Sequence, residues 1–304
     1  MLRCPFFDER IISMSKKYII AGGDMRFSAL AEELAENERV CTVGFDKNVF
    51  SSDKITVSEN VMSLPYRADC LVLPLPASSD GITLNTPFYS GTVSLSELTG
   101  CVNRDGIVFG GRLSPAVRDI FSSKGIEVVD YFEREELTVL NALATAEGAL
   151  QIALEEQPVM ISGSRILITG MGRIAKSLIR ILSGFGADIT VAARKCSDLA
   201  WAEVFGCNTA EISKLEGSDA LKNADIIFNT VPHTVLTEQL LKKCSKKCLI
   251  IDLASKPGGM DMEAAGRLGL RAIWALSLPG KTAPVSSGRM IARTIENILH
   301  ERKE

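Results

Sequence analysis

The sequence predicts an α/β protein of two doubly wound domains, in which helices cover both faces of each parallel sheet. Three observations support this prediction. Short apolar runs alternate with amphipathic helical stretches through both halves of the chain, which is typical of parallel strands buried on both faces. A glycine-rich turn joins one of these runs to a helix near the middle of the chain. The length of 304 residues favours two domains, each large enough for its own core.

The first domain is predicted over residues 15–133, after an N-terminal extension of residues 1–14. Its candidate strands are residues 18–22, 40–45, 69–74, 106–110 and 126–131, with helices at 27–36 and 115–124. The first turn, Ala21-Gly-Gly-Asp-Met-Arg26, lacks the GxGxxG spacing of a nucleotide loop. We therefore interpret it as a substrate-side loop of a flavodoxin-like domain, and a duplicated nucleotide site is the alternative.

A long helix is predicted over residues 134–157, because leucines recur at i, i+3 and i+4 spacing from Leu137 to Leu154. Pro158 ends the helix. A helix between two α/β domains is a natural hinge and cleft floor. Thr145 and Glu147 lie in its middle, and Glu147 reads equally well as a solvated residue or as one that faces the cleft.

The most informative short motif opens the second domain, predicted over residues 158–285. An apolar run at 165–169 leads into Gly170-Met-Gly172-Arg173-Ile174-Ala175, which a helix and a further strand at 188–193 follow. This context makes a GxGxxA match a Rossmann dinucleotide-binding motif. Gly170 permits the tight turn and Gly172 lets a pyrophosphate approach the backbone. The first helical residues, Arg173 and Ile174, offer N–H groups to the phosphates.

The end of the second Rossmann strand indicates which dinucleotide binds. An NAD site places Asp or Glu there to accept from the ribose 2′-hydroxyl, whereas this strand runs into Arg194 and Lys195 with no acid within reach. Two cations suit a 2′-phosphate, which a guanidinium binds bidentately. NADP is therefore preferred and NAD stays an alternative; a solvated Arg–Lys pair is the other interpretation.

Further ligand loops are expected after the strands at 225–230, 248–253 and 270–274, because ligands bind at the carboxyl ends of parallel strands. Pro232 and Thr237 resemble the nicotinamide-side loop of 2-hydroxyacid dehydrogenases, so we expect Thr230, Val231 and Pro232 to contact the cofactor. That family's catalytic set does not carry over. His233 then reads as a general base or, as we favour, as a residue that lines the cofactor channel.

Composition limits the remaining classes of function. A net charge of -3 gives no nucleic-acid footprint, and no apolar run approaches the roughly 20 residues of a membrane helix. The N-terminus carries acids where a signal peptide is apolar, so a cytoplasmic location is expected. The eight cysteines include no CxxC pair, so no metal site is predicted. Residues 286–304 are predicted as a C-terminal helix that packs back.

Several stretches together resemble the family of dipicolinate synthase A subunits, across residues 15–300. The matching stretches are residues 19–26, 43–46, 145–148, 170–173, 193–194, 229–232, 251–261 and 278–284. Of these, the loop Asp252-Leu-Ala-Ser-Lys-Pro-Gly-Gly-Met-Asp261 and the stretch Leu278-Pro-Gly-Lys-Thr-Ala-Pro284 are far more specific than the glycine turn. One departure is the pair Ser286-Ser287, where relatives tend to carry Thr-Ala.

The resemblance implies oxidation of dihydrodipicolinate, or of its hydroxylated tetrahydro precursor after water loss, with hydride transfer to NADP⁺ during sporulation. It also implies a partner, a flavoprotein-like B subunit, and a homo-oligomer stays open. Two alternatives remain at this stage. One is an NADP-dependent reductase of another small keto or imino acid, and the other is a non-catalytic NADP-binding component of a flavoprotein complex.

A dicarboxylate substrate calls for cations and hydroxyls near the cofactor. The candidates for binding its carboxylates are Arg26, Lys256, Lys281 and the hydroxyls of Thr145, Ser255 and Ser287. Asp24 or Glu147 is a candidate acceptor of the ring proton, directly or through water. No acid/base pair stands out, so the sequence leaves the catalytic residues unassigned.

Overall fold

The computed structural model describes residues 15–302, and this part of the chain forms two parallel six-stranded sheets. The predicted extension at residues 1–14 lies outside the described residues. The chain divides into two compact units: the first runs to Arg134 and resumes at Ile291, and the second is Glu135–Met290. The predicted class, two doubly wound α/β domains, is confirmed; the exact segment boundaries stay a prediction.

The first unit contains one sheet with strand order β3-β2-β1-β4-β5-β6. In both units the order is 3-2-1-4-5-6. In the first unit β3 is a three-residue edge strand, and the other five strands follow the flavodoxin-like order expected above, with β1 between β2 and β4. Its elements are β1 (Lys17–Ala21), α1 (Met25–Leu34), β2 (Arg39–Val43), β3 (Thr56–Ser58), β4 (Ala68–Val72), β5 (Val102–Gly110), α2 (Pro115–Ser122) and β6 (Glu127–Asp130).

The second unit repeats this architecture, with strand order β12-β11-β10-β7-β8-β9. All four residues of β10 and of β11 are buried, as expected for central strands covered on both faces. Its elements are α3 (Glu135–Glu156), β7 (Arg165–Thr169), α4 (Arg173–Gly184), β8 (Asp188–Ala193), α5 (Cys196–Val204), β9 (Asn208–Glu211), α6 (Asp219–Lys222), β10 (Ile226–Asn229), α7 (Glu238–Leu241), β11 (Leu249–Asp252), α8 (Met262–Arg267), β12 (Arg271–Trp274), α9 (Leu278–Thr282) and α10 (Pro284–Glu301), whose last turns belong to the first unit.

The predicted long helix is present as α3, and its small residues pack against the second unit. Ala146, Ala149 and Ala153 enter the same apolar core as the buried face of α4. Among the described residues, α3 is the one helix long and apolar enough to cross a membrane, which differs from the expectation of no such stretch. Half of its apolar window is buried inside the structure, as in a core helix.

Candidate cofactor and substrate site

The carboxyl ends of three neighbouring strands define the centre of the candidate site. Asn229 at the end of β10 lies in register with Thr169 at the end of β7 and with Asp252 at the end of β11. The chain reverses its direction across the sheet between β7 and β10, which makes this edge the topological switch point where dinucleotides bind in open α/β sheets.

The glycine turn after β7 has the close packing that its sequence predicts. Gly170 has φ +92°, and its N–H donates to Ala192 O at 2.8 Å. A Cβ at this position would lie 2.7 Å from Thr230 Oγ1 and 2.9 Å from Val231 Cγ2. Thr230 Oγ1 in turn donates to Thr169 O at 2.8 Å. The structure therefore packs the glycine turn directly against the predicted nicotinamide-side loop.

The N-terminus of α4 has free N–H groups and room in front of them. Gly172 is the N-cap residue, no side chain bonds to the cap, and the first turn carries no acid. A Cβ on Gly172 would meet nothing within 4 Å. Unsatisfied N–H groups, a positive dipole end and open space are what a pyrophosphate requires. This 12-residue helix therefore fits the cofactor phosphates.

The predicted cofactor side chains differ in how freely they are available. Arg194 and Lys195 follow β8 and are exposed, and their side chains make no hydrogen bond or ion pair with any residue from 15 to 302. Arg173 is instead paired with Glu135: its Nε donates to Oε1 at 2.8 Å and its Nη2 to Oε2. This pairing raises the pKa of Arg173 and lowers the pKa of Glu135. Arg173 thus offers the cofactor its backbone more readily than its guanidinium.

A buried polar network, which the sequence analysis missed, fixes the loops at this edge. The Asn229 amide accepts from Thr169 Oγ1 at 2.5 Å and donates to Asp252 Oδ1 at 2.7 Å and to Val231 O at 3.1 Å. Asp252 also accepts from Ala254 N at 3.0 Å and from Gly259 N at 2.8 Å. The side chains of Asn229 and Asp252 are both 0% exposed.

The network leaves no room for a side chain at Gly259. A Cβ there would overlap the Asn229 amide and the carbonyl oxygen of Val231. The loop that begins at Ala254 and the loop that begins at Thr230 are therefore held together by one amide and one carboxylate. The sequence signal for this network is the single polar residue that ends each of two apolar strands, Ile226–Asn229 and Leu249–Asp252.

Six predicted substrate residues lie in the second unit, in two different states. Thr145 and Ser287 are buried, and their hydroxyls donate to backbone carbonyls, Asn141 O at 2.8 Å and Pro279 O at 3.2 Å. The other four are exposed: Glu147, Ser255, Lys256 and Lys281. Ser255 and Lys256 belong to the loop that the buried network holds. Contact of these six residues with substrate stays a prediction.

In the first unit, Asp24 and Arg26 lie together but bind each other. Arg26 is 8% exposed; its Nε donates to Asp24 Oδ1 at 2.9 Å, and its Nη2 donates to Asp24 Oδ2 at 2.8 Å and to Leu75 O at 2.9 Å. Asp24 also accepts from Arg26 N at the start of α1. The pair is therefore already satisfied within the protein, and its substrate contact stays a prediction.

The glycine turn after β1 leaves no room for a nucleotide, which was the alternative interpretation of the first unit. Gly23 N donates to Asn85 O at 2.9 Å, and a Cβ on Gly22 would lie 2.7 Å from that same oxygen. The Cγ2 atom of Thr86 lies equally close to this position, at 2.8 Å. The chain's own segment 84–86 thus covers the glycine turn after β1, and Asp24 takes the N-terminus of α1.

Comparison with known proteins connects both units to described families. Residues 17–132 match the family model of the N-terminal domain of dipicolinate synthase A subunits. Residues 145–254 match the NAD binding domain of D-isomer specific 2-hydroxyacid dehydrogenases. The A subunit of dipicolinate synthase from Bacillus subtilis (strain 168) is 29% identical over 292 residues, which cover 94% of this chain and 96% of that protein.

Solved structures agree with these matches over almost the whole chain. The crystal structure of the dipicolinate synthase A subunit from Bacillus halodurans superimposes with a TM-score of 0.84 at 26% identity, covering 93% of this chain and 97% of its own. The dipicolinate synthase A chain from Bacillus subtilis also gives 0.84, at 28% identity, with 95% and 97% covered.

The Rossmann unit and its cofactor turn, together with the dehydrogenase match, define the class of the chain: it is an NAD(P)-dependent oxidoreductase. This confirms a nicotinamide dinucleotide as cofactor. Within that class the chain is similar to the A subunits of dipicolinate synthase over almost its whole length, and residues 17–132 match the model of their N-terminal domain. The resemblance predicted from the sequence motifs is therefore confirmed.

Proposed function

We propose that this protein oxidises dihydrodipicolinate, or its hydroxylated tetrahydro precursor after loss of water, to dipicolinate. A hydride leaves a ring carbon for C4 of the nicotinamide of NADP⁺, a ring proton is lost, and the ring becomes aromatic. The observation that carries this proposal is the similarity to chains named as dipicolinate synthase A subunits over both units, together with an open Rossmann turn in the second.

Different residues of the second unit hold different parts of the cofactor. When bound, the cofactor supplies the hydride acceptor. The free N–H groups from Gly172 to Ile174 bind the pyrophosphate, and the unpaired cations Arg194 and Lys195 bind the 2′-phosphate. The loop from Thr230 to Pro232 lies against the glycine turn, on the nicotinamide side. Asn229 donates to Val231 O and so holds this loop in place, which would help to orient a bound nicotinamide for hydride transfer.

The substrate's two carboxylates require cations from loops at the carboxyl ends of strands. Arg26, Lys256 and Lys281 are the predicted cations, with hydroxyls from Thr145, Ser255 and Ser287. Asp24 or Glu147 is the predicted proton acceptor. Glu147 is exposed on α3, whereas Asp24 is engaged by Arg26, which favours Glu147 for this role.

A partner subunit is part of the proposal, because the relatives are named as the A subunits of dipicolinate synthase. We propose that this partner is a flavoprotein-like B subunit, and that the protein is located in the cytoplasm.

The proposal is tested by absorbance at 340 nm with NADP⁺ and dihydrodipicolinate, with and without the partner subunit. A rise that depends on both compounds is expected from the protein alone. A rise only in the partner's presence would assign catalysis to the complex. Cofactor binding without any rise under either condition would favour the alternative of a non-catalytic NADP-binding component. If the protein does not oxidise dihydrodipicolinate but reduces other keto or imino acids with NADPH, the alternative of a reductase would be favoured.

A further inference from the structure

The turn after β5 places an arginine in an unusual backbone conformation at the carboxyl edge of the first sheet. Arg112 follows Gly110 and Gly111 and has φ +53°, in the left-handed region. Residues with a side chain adopt this region rarely, and they persist there when surrounding contacts hold them. Arg112 is not among the residues predicted above to bind substrate.

The contacts that hold Arg112 come from a buried carboxylate. Asp130 is 7% exposed and ends β6; its oxygens accept from Arg112 N at 3.1 Å, from Leu113 N at 2.8 Å and from Phe132 N at 2.9 Å. The donors Arg112 N and Leu113 N tie the turn after β5 to the end of β6, and Phe132 N caps the turn that follows β6. The left-handed conformation of Arg112 is therefore fixed by the fold.

The same turn lies beside the switch point of the first sheet. Gly111 N donates to Pro74 O at 3.2 Å, in the segment that follows β4, and a Cβ at Gly111 would lie 2.7 Å from Leu75 Cδ1. Leu75 O accepts from Arg26, which follows β1. Arg112 thus lies at the edge where a ligand of this unit is expected.

The guanidinium of Arg112 is available, in contrast to its neighbours. It is exposed, lies 5.9 Å from the centroid of the Phe132 ring, and has no carboxylate partner among residues 15–302. Arg26 is buried against Asp24 and Leu75 O, and Arg118 is paired with Asp130 and Glu133. Of these three arginines, Arg112 alone presents an unsatisfied guanidinium.

We infer that Arg112 binds a carboxylate of the substrate at this edge of the first unit, with Arg26 as a positioning residue for the adjacent loop. A planar guanidinium binds a carboxylate through two parallel hydrogen bonds, and the Phe132 ring limits the orientations of its plane. The ligand class is a small planar dicarboxylate, so the inference rests on the proposed function and names the residue that recognises its substrate.

The decisive variant is Arg112→Gly, because glycine adopts φ +53° without strain while the guanidinium is removed. The measurement is calorimetric titration of the full chain with dipicolinate in the presence of NADP⁺, alongside the affinity for NADP⁺ and the melting temperature. We expect dipicolinate affinity to fall at least about tenfold, NADP⁺ affinity to stay within about twofold, and the melting temperature to hold or rise. Arg112→Lys keeps the positive charge but loses the planar guanidinium that binds a carboxylate through two hydrogen bonds, and should give an intermediate loss of dipicolinate affinity.

Arg104→Ala is the matched control, because Arg104 is exposed near the opposite, amino-terminal end of β5. It should leave the affinity for dipicolinate unchanged. Wild-type affinity in Arg112→Gly would overturn the inference, as would a lower melting temperature with equal loss of both ligands. If the unmodified chain binds NADP⁺ but no dipicolinate, the proposed function fails, and the inference fails with it.

Discussion

Replacing Asp252 by alanine would remove the acceptor of three buried hydrogen bonds at the carboxyl edge of the second sheet. The donors left behind are Asn229 Nδ2, Ala254 N and Gly259 N, now 2.7, 3.0 and 2.8 Å from the carboxylate oxygens. A buried donor without a partner costs about 1–3 kcal/mol. With partial relaxation of the loops, the free energy of unfolding should fall by about 3–5 kcal/mol.

The assay is urea unfolding followed by circular dichroism, with NADP⁺ affinity measured on the same variant under native conditions. Affinity should fall as well, because Asn229 loses the partner that orients its contact with Val231. Asp46→Ala is the control: that carboxylate is exposed and has no hydrogen-bond partner among the described side chains, so the change should stay within about 0.5 kcal/mol. A loss below about 1 kcal/mol for Asp252→Ala would refute the reasoning that the network holds these loops.

Three further outcomes are expected. Arg194→Ala should narrow the preference for NADP⁺ over NAD⁺ by about 1–3 kcal/mol, measured as the ratio of dissociation constants; equal affinities in the unmodified protein would contradict the 2′-phosphate assignment. Gly170→Ala should weaken cofactor binding and lower the free energy of unfolding by about 1–3 kcal/mol, because φ +92° and the Thr230 hydroxyl both oppose a Cβ. The control is Gly184→Ala, whose Cβ would lie in open space on α4 and should have neither effect. Identical cofactor binding by the two variants would contradict the prediction of a tight turn at Gly170. Among the cysteines of residues 15–302, Cys196 should be alkylated first at about pH 8, since it is exposed while burial raises the pKa of Cys70 and of Cys244 to about 11; peptide mapping that finds either buried thiol modified first would contradict the packing.

The sequence predicts the elements whose signals are local. The strand, turn and helix around Gly170 follow from apolar periodicity and glycine spacing, and β7 and β8 begin and end where predicted. The edge strands β3 and β9 are short and partly exposed, so they carry no apolar run to recognise. In the first unit the short β3 adds an outer strand to the flavodoxin-like order, and no local signal in the sequence predicts this addition.

The sequence predicts a site residue when its role follows from its position in a known motif, and misses it when the role depends on strand pairing. Arg194 stands at a strand end that the Rossmann pattern assigns in advance. Asn229 and Asp252 read as ordinary loop starts, because their pairing depends on the register between β10 and β11. For Arg112, the left-handed backbone depends on Asp130, which is brought close by pairing of β5 with β6.

The repeated strand order has a consequence for how the two halves of the chain depend on small molecules. The same scaffold appears twice, but in the first copy the glycine turn is covered by residues 84–86, within the long connection between β4 and β5. Because the covering segment belongs to the polypeptide itself, the glycine turn after β1 is covered at every metabolite concentration. In the second copy, bound cofactor adds to the free energy of unfolding. Above the dissociation constant, this gain grows with the logarithm of the ratio of the free cofactor concentration to that constant. The glycine turn of the first unit is therefore covered at any cofactor concentration, whereas the second unit gains stability as the cofactor concentration rises.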